Sequence, residues 1–429
     1  MHTRISTTGK VSRFEYEANP MIDAANKRLE KLADFGMICA WLLACTGMTI
    51  VAYVQFGQDF RGYYAAARVL LEGGNPYDYY QVAQVLLETT GRIGNNPFYY
   101  PLWFGWFVAP LATLPYPIAR AVWMLFNLVL WILGLMRLRE LMKFPPKGWR
   151  TWSMNLLATF VFAWMTWKFE QTGILLFLLV VETMHAYQRE RWTLMGFLLA
   201  AASIKPNIML IPVGILSLWL LRNKIYRPVI VMSAVLTGLV VVTTMLTPGW
   251  YEPILQPNFG RGLTEVLDGP EKTTGIRLNT TLRDWLGMFG IPETIRNVSL
   301  AVLALACLPV VVRALWSSKS FFLVTVVSLL VNFAVTPYAL QYDFPPLTLA
   351  LFWGTALAVH AGSLRITVPL IALIASVLIW EHPISDGYWI VIGLIALVAW
   401  NLRACNRAEL PESLLLPGKI RRDRTNEIT

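Results

Sequence analysis

The sequence predicts an all-α protein that crosses a membrane many times. Hydrophobic residues make up 56% of the 429 residues and charged residues only 14%, whereas about a quarter of a soluble domain is charged. The mean hydropathy is +0.51, and apolar runs recur along most of the chain. The formal charge of +10 comes mostly from Lys and Arg in short loops. Positive-inside bias and attraction to anionic lipid explain this better than a nucleic-acid partner, which we do not expect.

The first predicted element is an apolar stretch from Gly36 to Phe56. It has no charged residue and is long enough to cross a hydrocarbon core of about 30 Å. Later apolar runs predict further spans, and several are shorter than the roughly 17–25 residues of a full crossing. Together they predict about twelve crossings, at 36–56, 117–137, 151–167, 171–187, 192–204, 206–221, 228–246, 294–313, 320–336, 344–360, 365–380 and 388–403.

Loop charges orient these spans. When the N-terminal segment 1–35 is placed in the cytoplasm, every predicted inner loop carries Lys or Arg, as the positive-inside rule requires. The tail 404–429 is also basic. We therefore expect an integral domain over 36–403 in the plasma membrane, with both termini cytoplasmic. The inner loops are 137–150, 188–191, 222–227, 313–319 and 360–365.

Two large loops are predicted on the outer face. The first, 57–101, contains the amphipathic stretches 60–72 and 78–88, which predict juxtamembrane helices lying along the membrane surface. The second, 247–293, carries several charged residues of both signs. The apolar run 102–114 would reverse every later loop if it crossed the bilayer, and prolines interrupt it. We therefore expect it to be a surface-lying or partly inserted helix.

A single carboxylate, Asp59, directly follows the first span. Apolar residues recur at helical spacing after it, so the acid is placed between a span and a surface helix. A carboxylate held there can act as a general base on a lipid-borne substrate. It can equally cap the following helix, because Asp accepts hydrogen bonds from free backbone N–H groups. The residues alone leave both roles open.

Lys205 is the second candidate. It lies in Ser203–Asn207, a proline-broken junction between two short spans. Irregular backbone at membrane depth is tolerated only where it is buried in protein or lines a cavity. A cation there suits a phosphate, although a lysine near a helix end can also extend to the membrane surface. The four His are scattered and the four Cys form no CxxC pattern, so we expect no metal and no other cofactor.

A series of short motifs follows in order along the predicted outer face. Their order and placement resemble glycosyltransferase family 87 over about residues 36 to 350. The motifs are Asp59-Phe60-Arg61-Gly62-Tyr63-Tyr64-Ala65-Ala66-Ala67, Leu71-Glu72-Gly73-Gly74-Asn75-Pro76-Tyr77, Phe98-Tyr99-Tyr100-Pro101-Leu102, Ala109-Pro110-Leu111, Leu114-Pro115, Gln171-Thr172-Gly173, Lys205-Pro206, Thr336-Pro337-Tyr338 and Tyr342-Asp343.

The resemblance implies a GT-C-type fold and a transferase that takes its sugar, expected to be mannose, from a polyprenyl-phosphate donor. The acceptor is expected to be a lipid or a glycan at the outer face. The resemblance gives Asp59 the role of general base and requires no metal. Residues expected to bind the substrates are Arg61, Tyr63, Asn75, Tyr99, Gln171, Lys205, Arg261, Arg277, Asn279, Tyr342 and Asp343.

Three motifs depart from the family pattern. The turn Glu170–Gly173 lacks the Gly and Asn of the family's Gly-Gln-x-Asn. Leu102 stands at the last position of a Tyr-Pro-Pro signature, and Leu278–Thr281 stands where family members often show Asn-Gln-Ser. These departures bear on the identity of the sugar more than on the fold.

A transporter or flippase of lipid-linked saccharides is the competing function, because it also needs polar groups among many spans. Transporters often have inverted repeats and charged residues near the middle of the membrane. Here no repeat is apparent, and the polar groups cluster toward the outer face. A structural membrane subunit would explain the hydrophobicity but not the two large outer loops.

Overall fold

The computed structural model describes residues 20–55, 59–91, 98–142, 149–255, 280–318, 320–360, 371 and 388–405. The regular structure in these ranges is helical, without a β-strand, which confirms the predicted all-α class. Helices satisfy their own backbone hydrogen bonds, as a chain surrounded by lipid must. Apolar side chains from most of the helices meet in one continuous buried core.

The helices are numbered here in chain order. They are α1 (Pro20–Gln55), α2 (Asp59–Leu71), α3 (Tyr79–Thr90), α4 (Leu102–Ala112), α5 (Tyr116–Met142), α6 (Trp149–Ala158), α7 (Trp164–Phe169), α8 (Gly173–Gln188), α9 (Trp192–Ala202), α10 (Pro206–Arg222), α11 (Tyr226–Leu246), α12 (Glu252–Leu255), α13 (Leu282–Met288), α14 (Glu293–Ser317), α15 (Phe321–Val335), α16 (Thr348–His360) and α17 (Tyr388–Cys405).

Four helices are long and apolar enough, by length and composition, to cross a membrane. They are the Lys27–Gln55 part of α1, together with α5, α11 and α14, and each coincides with a predicted span. The shorter apolar helices α8, α9, α10, α15 and α17 also coincide with predicted spans. The span predicted at 365–380 lies almost entirely outside the described residues. The count of about twelve crossings therefore stays a prediction.

The first helix is longer than the predicted span. α1 has 36 residues, or about 54 Å at 1.5 Å per residue, which exceeds a hydrocarbon core of about 30 Å. It begins inside the segment 1–35, because residues such as Glu30 and Lys31 form helices as readily as apolar residues do. The boundary at residue 35 is thus a change of side-chain polarity within one helix.

The span predicted at 151–167 is a helix with a π-type turn in its middle. Thr159–Ala163 forms this turn and joins α6 to α7 without a break. The Thr159 hydroxyl accepts hydrogen bonds from the indole N–H groups of Trp41 at 3.0 Å and Trp131 at 2.9 Å, and it donates to the Asn155 carbonyl at 2.8 Å. One hydroxyl of the π-type turn therefore links α1, α5 and α6.

The two amphipathic stretches of the first outer loop form α2 and α3, as predicted. The apolar face of α2 is buried in the protein, where it packs mainly against α3, α4 and α5. Small residues permit this approach: Ala65, Ala66 and Ala67 are fully buried, and a Cβ at Gly105 in α4 would lie 2.6 Å from the Leu70 side chain. The packing places Asp59, the first residue of α2, against the interior of the protein.

Three further connections meet the start of α2. They are the turn between α7 and α8, the junction between α9 and α10, and the 3-10 turn Gln341–Asp343. The α9–α10 junction is a helix boundary, since α10 begins at Pro206, where the missing proline N–H needs no partner. These four segments, together with residues 98–100 and Tyr338, form the wall of a cavity.

Candidate active site

The cavity has a volume of about 180 Å³. Pockets for drug-sized ligands are typically about 300–1,000 Å³, so this cavity can enclose one small polar group and not a lipid. Aromatic rings make up much of its wall, and Asp59 and Lys205 supply charge. The lining residues are Asp59, Gly62, Tyr63, Phe98, Tyr99, Tyr100, Gln171, Ile204, Lys205, Pro206, Asn207, Tyr338 and Tyr342.

The Asp59 carboxylate is held by Gln171. The side-chain amide of Gln171 donates a hydrogen bond from Nε2 to Oδ2 of Asp59. Among the described residues, the carboxylate takes no side-chain cap bond from the backbone of its own helix. Its position in the first turn of α2 still places the negative charge at the positive end of the helix dipole. The described residues therefore show no hydrogen bond that would support an N-cap role for Asp59. Its position in the cavity wall agrees with a role in binding or reacting with a ligand.

Three donor groups lie within hydrogen-bonding distance of the carbonyl oxygen of Gln171. Its Oε1 lies 2.8 Å from the hydroxyls of both Tyr63 and Tyr100 and 2.9 Å from Nζ of Lys205. The two tyrosine hydroxyls are also 2.7 Å apart. Gln171 therefore links α2, the Tyr100 segment and the α9–α10 junction to the Asp59 carboxylate.

Lys205 forms a buried ion pair with Asp343. The two charged groups are 2.6 Å apart, and the Asp343 side chain is fully buried and receives a second bond, from the Leu340 N–H at 3.0 Å. The ammonium also lies 4.8 Å from the centre of the Tyr342 ring, within reach of a cation–π contact. Asp343 thus fixes the position of Lys205 but does not itself line the cavity.

Burial and neighbouring charges set the ionisation of these groups. Burial raises the pKa of Asp59, while the hydrogen bond from Gln171 and the charges of Lys205 and Arg61 oppose the rise. Burial alone would lower the pKa of Lys205, but the Asp343 carboxylate, together with Tyr100 and Tyr338, more than offsets this and raises it. A carboxylate with a raised pKa is a stronger base than an ordinary Asp. It is ionised at pH values above that pKa, where it can accept a proton as a general base.

The turn that carries Gln171 is tightly held. Glu170, before it, has a left-handed backbone with φ 57°, an uncommon conformation for any residue except Gly. Its carbonyl accepts a bond from the Trp123 indole at 2.8 Å, and its buried carboxylate pairs with Arg120 in α5. On the other side, a Cβ at Gly173 would overlap the Tyr342 carbonyl oxygen. That contact requires glycine, and it brings the turn against the Tyr342 segment.

The structure brings six of the predicted site residues together: Asp59, Tyr63, Tyr99, Gln171, Lys205 and Tyr342 all line the cavity. Arg61 and Asp343 do not line it but act on it through their charges. Asn75 lies elsewhere, because its side chain accepts from the Tyr77 N–H at 3.0 Å and donates to the Gly249 carbonyl at 3.4 Å. This position is that of a turn residue. Arg261, Arg277 and Asn279 lie outside the described residues.

Several cavity residues were not selected from the sequence. Tyr100 contacts Gln171 directly, yet nothing in the run Phe98–Tyr100 indicates which of its three aromatic rings does so. Tyr338 and Asn207 also line the cavity, and Asn207 donates to the Tyr338 carbonyl at 3.3 Å. In the sequence, Asn207 directly follows the Lys205-Pro206 motif and Tyr338 ends the Thr336-Pro337-Tyr338 motif. These positions are what could have indicated that the two residues belong to the site. Within the described ranges no three His, Cys, Asp or Glu side chains group as metal ligands would, and the expectation of a metal-free reaction stays a prediction.

Comparison with known proteins identifies the family. The family model for glycosyltransferase family 87 matches residues 98–337, more than half of the chain. The match includes Tyr100, Gln171 and Lys205, while Asp59 and Asp343 fall outside it. No curated protein and no solved structure matches the chain significantly. The length of the family match and the apolar helices lead to one conclusion: the chain belongs to glycosyltransferase family 87 and is a membrane glycosyltransferase.

Proposed function

We propose that the enzyme transfers a sugar, expected to be mannose, from a polyprenyl-phosphate donor to a hydroxyl group of a lipid or glycan acceptor. The observation that carries this proposal is the position of Asp59: its carboxylate lines the cavity and is held at one oxygen by Gln171. The reaction is placed at the outer face of the plasma membrane, with both termini in the cytoplasm. It requires no metal in this scheme.

Asp59 acts as the general base. The acceptor hydroxyl gives its proton to the carboxylate, and its oxygen forms a bond to the anomeric carbon of the donor sugar. The bond between that carbon and the phosphate oxygen breaks, and the polyprenyl phosphate leaves with the electron pair. General-base catalysis of this kind is worth roughly 10²–10⁴ in rate.

Lys205 stabilises the leaving phosphate. An ammonium has three N–H donors, and in the described residues two of them point to Asp343 and Gln171. The third is available to a ligand oxygen, since Lys205 lines the cavity. Arg61, whose Nε is buried without a hydrogen-bond partner in the described part of the chain, adds positive charge near Asp59. Such preorganised cations stabilise charge that develops in the transition state.

Aromatic residues suit the sugar itself. Tyr63, Tyr99, Tyr100, Tyr338 and Tyr342 present rings and hydroxyls to a cavity of about 180 Å³. Rings of this kind pack against the C–H faces of a pyranose, and their hydroxyls can bond its oxygens. In this scheme the small polar group that enters the cavity is the sugar, and the polyprenyl chain stays in the membrane.

The test uses purified protein in detergent and a radiolabelled polyprenyl-phosphate mannose with candidate lipid acceptors. Asp59→Asn keeps the side-chain size and can still accept the Gln171 bond, so the variant should fold and lose at least 10²-fold in turnover. Asp59→Glu should retain little, because an extra methylene misplaces the carboxylate. Asp78→Asn is the matched control: Asp78 caps α3 by accepting from the Tyr80 N–H and lies outside the cavity wall. Full turnover in Asp59→Asn would remove Asp59 as the base.

A further inference from the structure

We propose that Gln171 is a positioning residue, which holds the Asp59 carboxylate in one orientation through a side-chain amide that three donors keep from turning over. This inference rests on the proposed function and adds to it a role for a residue that the sequence indicated only as a substrate ligand.

The carbonyl oxygen of Gln171 has no capacity left for a substrate. An amide oxygen has two lone pairs, and three donors, the hydroxyls of Tyr63 and Tyr100 and the Lys205 ammonium, already lie 2.8–2.9 Å from Oε1. One N–H of Nε2 is donated to Asp59, which leaves one N–H. Most of the hydrogen-bonding capacity of this side chain is therefore spent on protein groups.

The same contacts determine which way the amide faces. If the amide turned over, its NH₂ group would meet the Lys205 ammonium, which cannot accept a hydrogen bond. Its oxygen would then meet the Asp59 carboxylate, another acceptor. Both contacts would be repulsive, so the NH₂ group must face Asp59. The orientation follows from the chemistry of the partners, which is how amide orientations are assigned.

The backbone of Gln171 is held as firmly as its side chain. Its N–H donates to the Thr166 carbonyl at 3.0 Å, and Glu170 before it is tied to Arg120 and Trp123. Gly173 after it lies against the Tyr342 carbonyl oxygen. The amide therefore has little freedom to follow Asp59 if the carboxylate moves, and it acts as a fixed donor.

The consequence for the base is twofold. Oδ2 accepts the amide hydrogen bond, which makes it the less basic oxygen, so we expect the proton from the acceptor to go to the other oxygen, Oδ1. Burial raises the pKa of Asp59, and the negative charge of Asp343 adds to this rise. The hydrogen bond from Gln171 opposes the rise because it stabilises the ionised carboxylate, as do the positive charges of Lys205 and Arg61. The other titratable groups that interact with it are Tyr63 on the same helix, Glu170 in the turn that carries Gln171, and Tyr338 and Tyr342.

Gln171→Met removes the amide while keeping an unbranched side chain of similar length. We expect the acid side of the kcat–pH profile to move upward by about one pH unit, the size expected when a hydrogen bond to a charged group is lost. The matched control is Gln81→Met in α3. Gln81 also donates to an aspartate, Asp78, at 2.9 Å, but outside the cavity, so its profile should not move.

A second readout does not depend on activity. An apolar carbodiimide reacts with protonated carboxyl groups, and mass spectrometry of the Asp59 peptide gives the pH at which half of Asp59 is labelled. This midpoint should rise in Gln171→Met and stay unchanged in Gln81→Met. An unchanged midpoint in folded Gln171→Met would overturn the inference, even if sugar transfer were established.

Two further arms keep the test decisive. If Gln171→Met does not fold, Gln171→Glu has nearly the same shape and places a second carboxylate beside Asp59, which should raise the labelling midpoint further. If the wild-type protein transfers no sugar from the polyprenyl-phosphate donor, the proposed function fails. The labelling midpoints then still decide whether Gln171 controls Asp59.

Discussion

At the scale of single residues, the central question was whether Asp59 caps a helix or serves a ligand. Both functions need a carboxylate at the start of a helix, so local sequence could not separate them. The structure adds a contact that local sequence does not indicate, the hydrogen bond from Gln171, a residue 112 positions away along the chain. The same holds for Lys205, whose ion pair with Asp343 joins residues that no local pattern connects. The role of Asp59 as general base stays a prediction.

Replacement of Lys205 has two separable effects. Lys205→Met leaves the Asp343 carboxylate buried without its cation, which should cost about 3–5 kcal/mol of stability. The double variant Lys205→Met/Asp343→Asn removes both charges and should recover much of the melting temperature. It should still use the donor about 10- to 100-fold less well, because a charge-assisted bond to phosphate is worth roughly 1.5–3 kcal/mol.

Thermal unfolding and the donor KM measure these two effects. Lys205→Arg should keep part of the donor binding, since it keeps the charge. If the double variant folds and shows the donor KM of the wild type, Lys205 has no role in phosphate binding and serves only to balance Asp343.

At the scale of elements, the turn between α7 and α8 determines the geometry of the site. It packs between α5, which supplies Arg120 and Trp123, and the Tyr342 segment. Here the sequence departs from the family pattern, with Glu170 in place of Gly. The structure shows what accompanies that departure: Glu170 has the left-handed backbone that favours Gly, and its carboxylate is paired with Arg120.

Glu170 should make stability depend on pH. Burial raises the pKa of Glu170 to about 7 from an ordinary value of 4.5, although Arg120 opposes the rise. Between pH 4.5 and about pH 7 the Glu170 carboxyl keeps its proton in the folded state and has lost it in the unfolded state. The free energy of unfolding therefore falls as pH rises through this range. The contribution is fully present below pH 4.5 and is lost as pH rises through about 7. A difference of one pH unit between the folded and unfolded pKa corresponds to about 1.4 kcal/mol of stability.

Glu170→Gln cannot titrate and isolates this contribution. The difference in melting temperature between the wild type and Glu170→Gln should change by several degrees between about pH 4.5 and about pH 7.5, in favour of the variant at the higher pH. Glu88→Gln, which removes one carboxylate from a solvent-exposed pair on α3, serves as a control for general charge effects. A constant difference across the range would show that the Glu170 carboxylate is ionised throughout.

At the scale of the whole molecule, the prediction concerns the side of the membrane that each loop faces. The residues that line the cavity come from connections that the predicted topology places together on the outer face. In a variant without the native cysteines, Tyr80→Cys in the first outer loop should react with a membrane-impermeant maleimide from outside. Tyr80 is 84% exposed, so its accessibility does not depend on local unfolding.

Lys224→Cys, in a predicted inner loop, should react only after the membrane is made permeable. Labelling of both positions from the same side would contradict the predicted topology. Only one helix, α10, separates Lys205 from Lys224. If α10 crosses the membrane and Lys224 is labelled from the outside, Lys205 lies on the inside. Asp59 at the start of α2 would then be on the other side from Lys205, although both residues line one cavity.

The sequence by itself determined the class of the protein and most of its longer helices. Lipid requires helices with satisfied backbones and apolar side chains, and these leave a strong signal in composition and periodicity. Hence α5, α8, α11 and α14 fall close to the predicted stretches. The order of short motifs indicated the family that the comparison confirms.

Only the tertiary structure decided how the site is made. The face of α2 is amphipathic in the sequence whether it packs on lipid or on protein, and the burial of that face against α4 appears only in the fold. The sequence indicates Gln171 only as a residue that binds substrate, because a polar residue in an outer turn gives no indication of its partners in the protein. Its donors and its acceptor come from separate segments, and a hydrogen bond between distant segments depends on packing, which no local pattern of residues records.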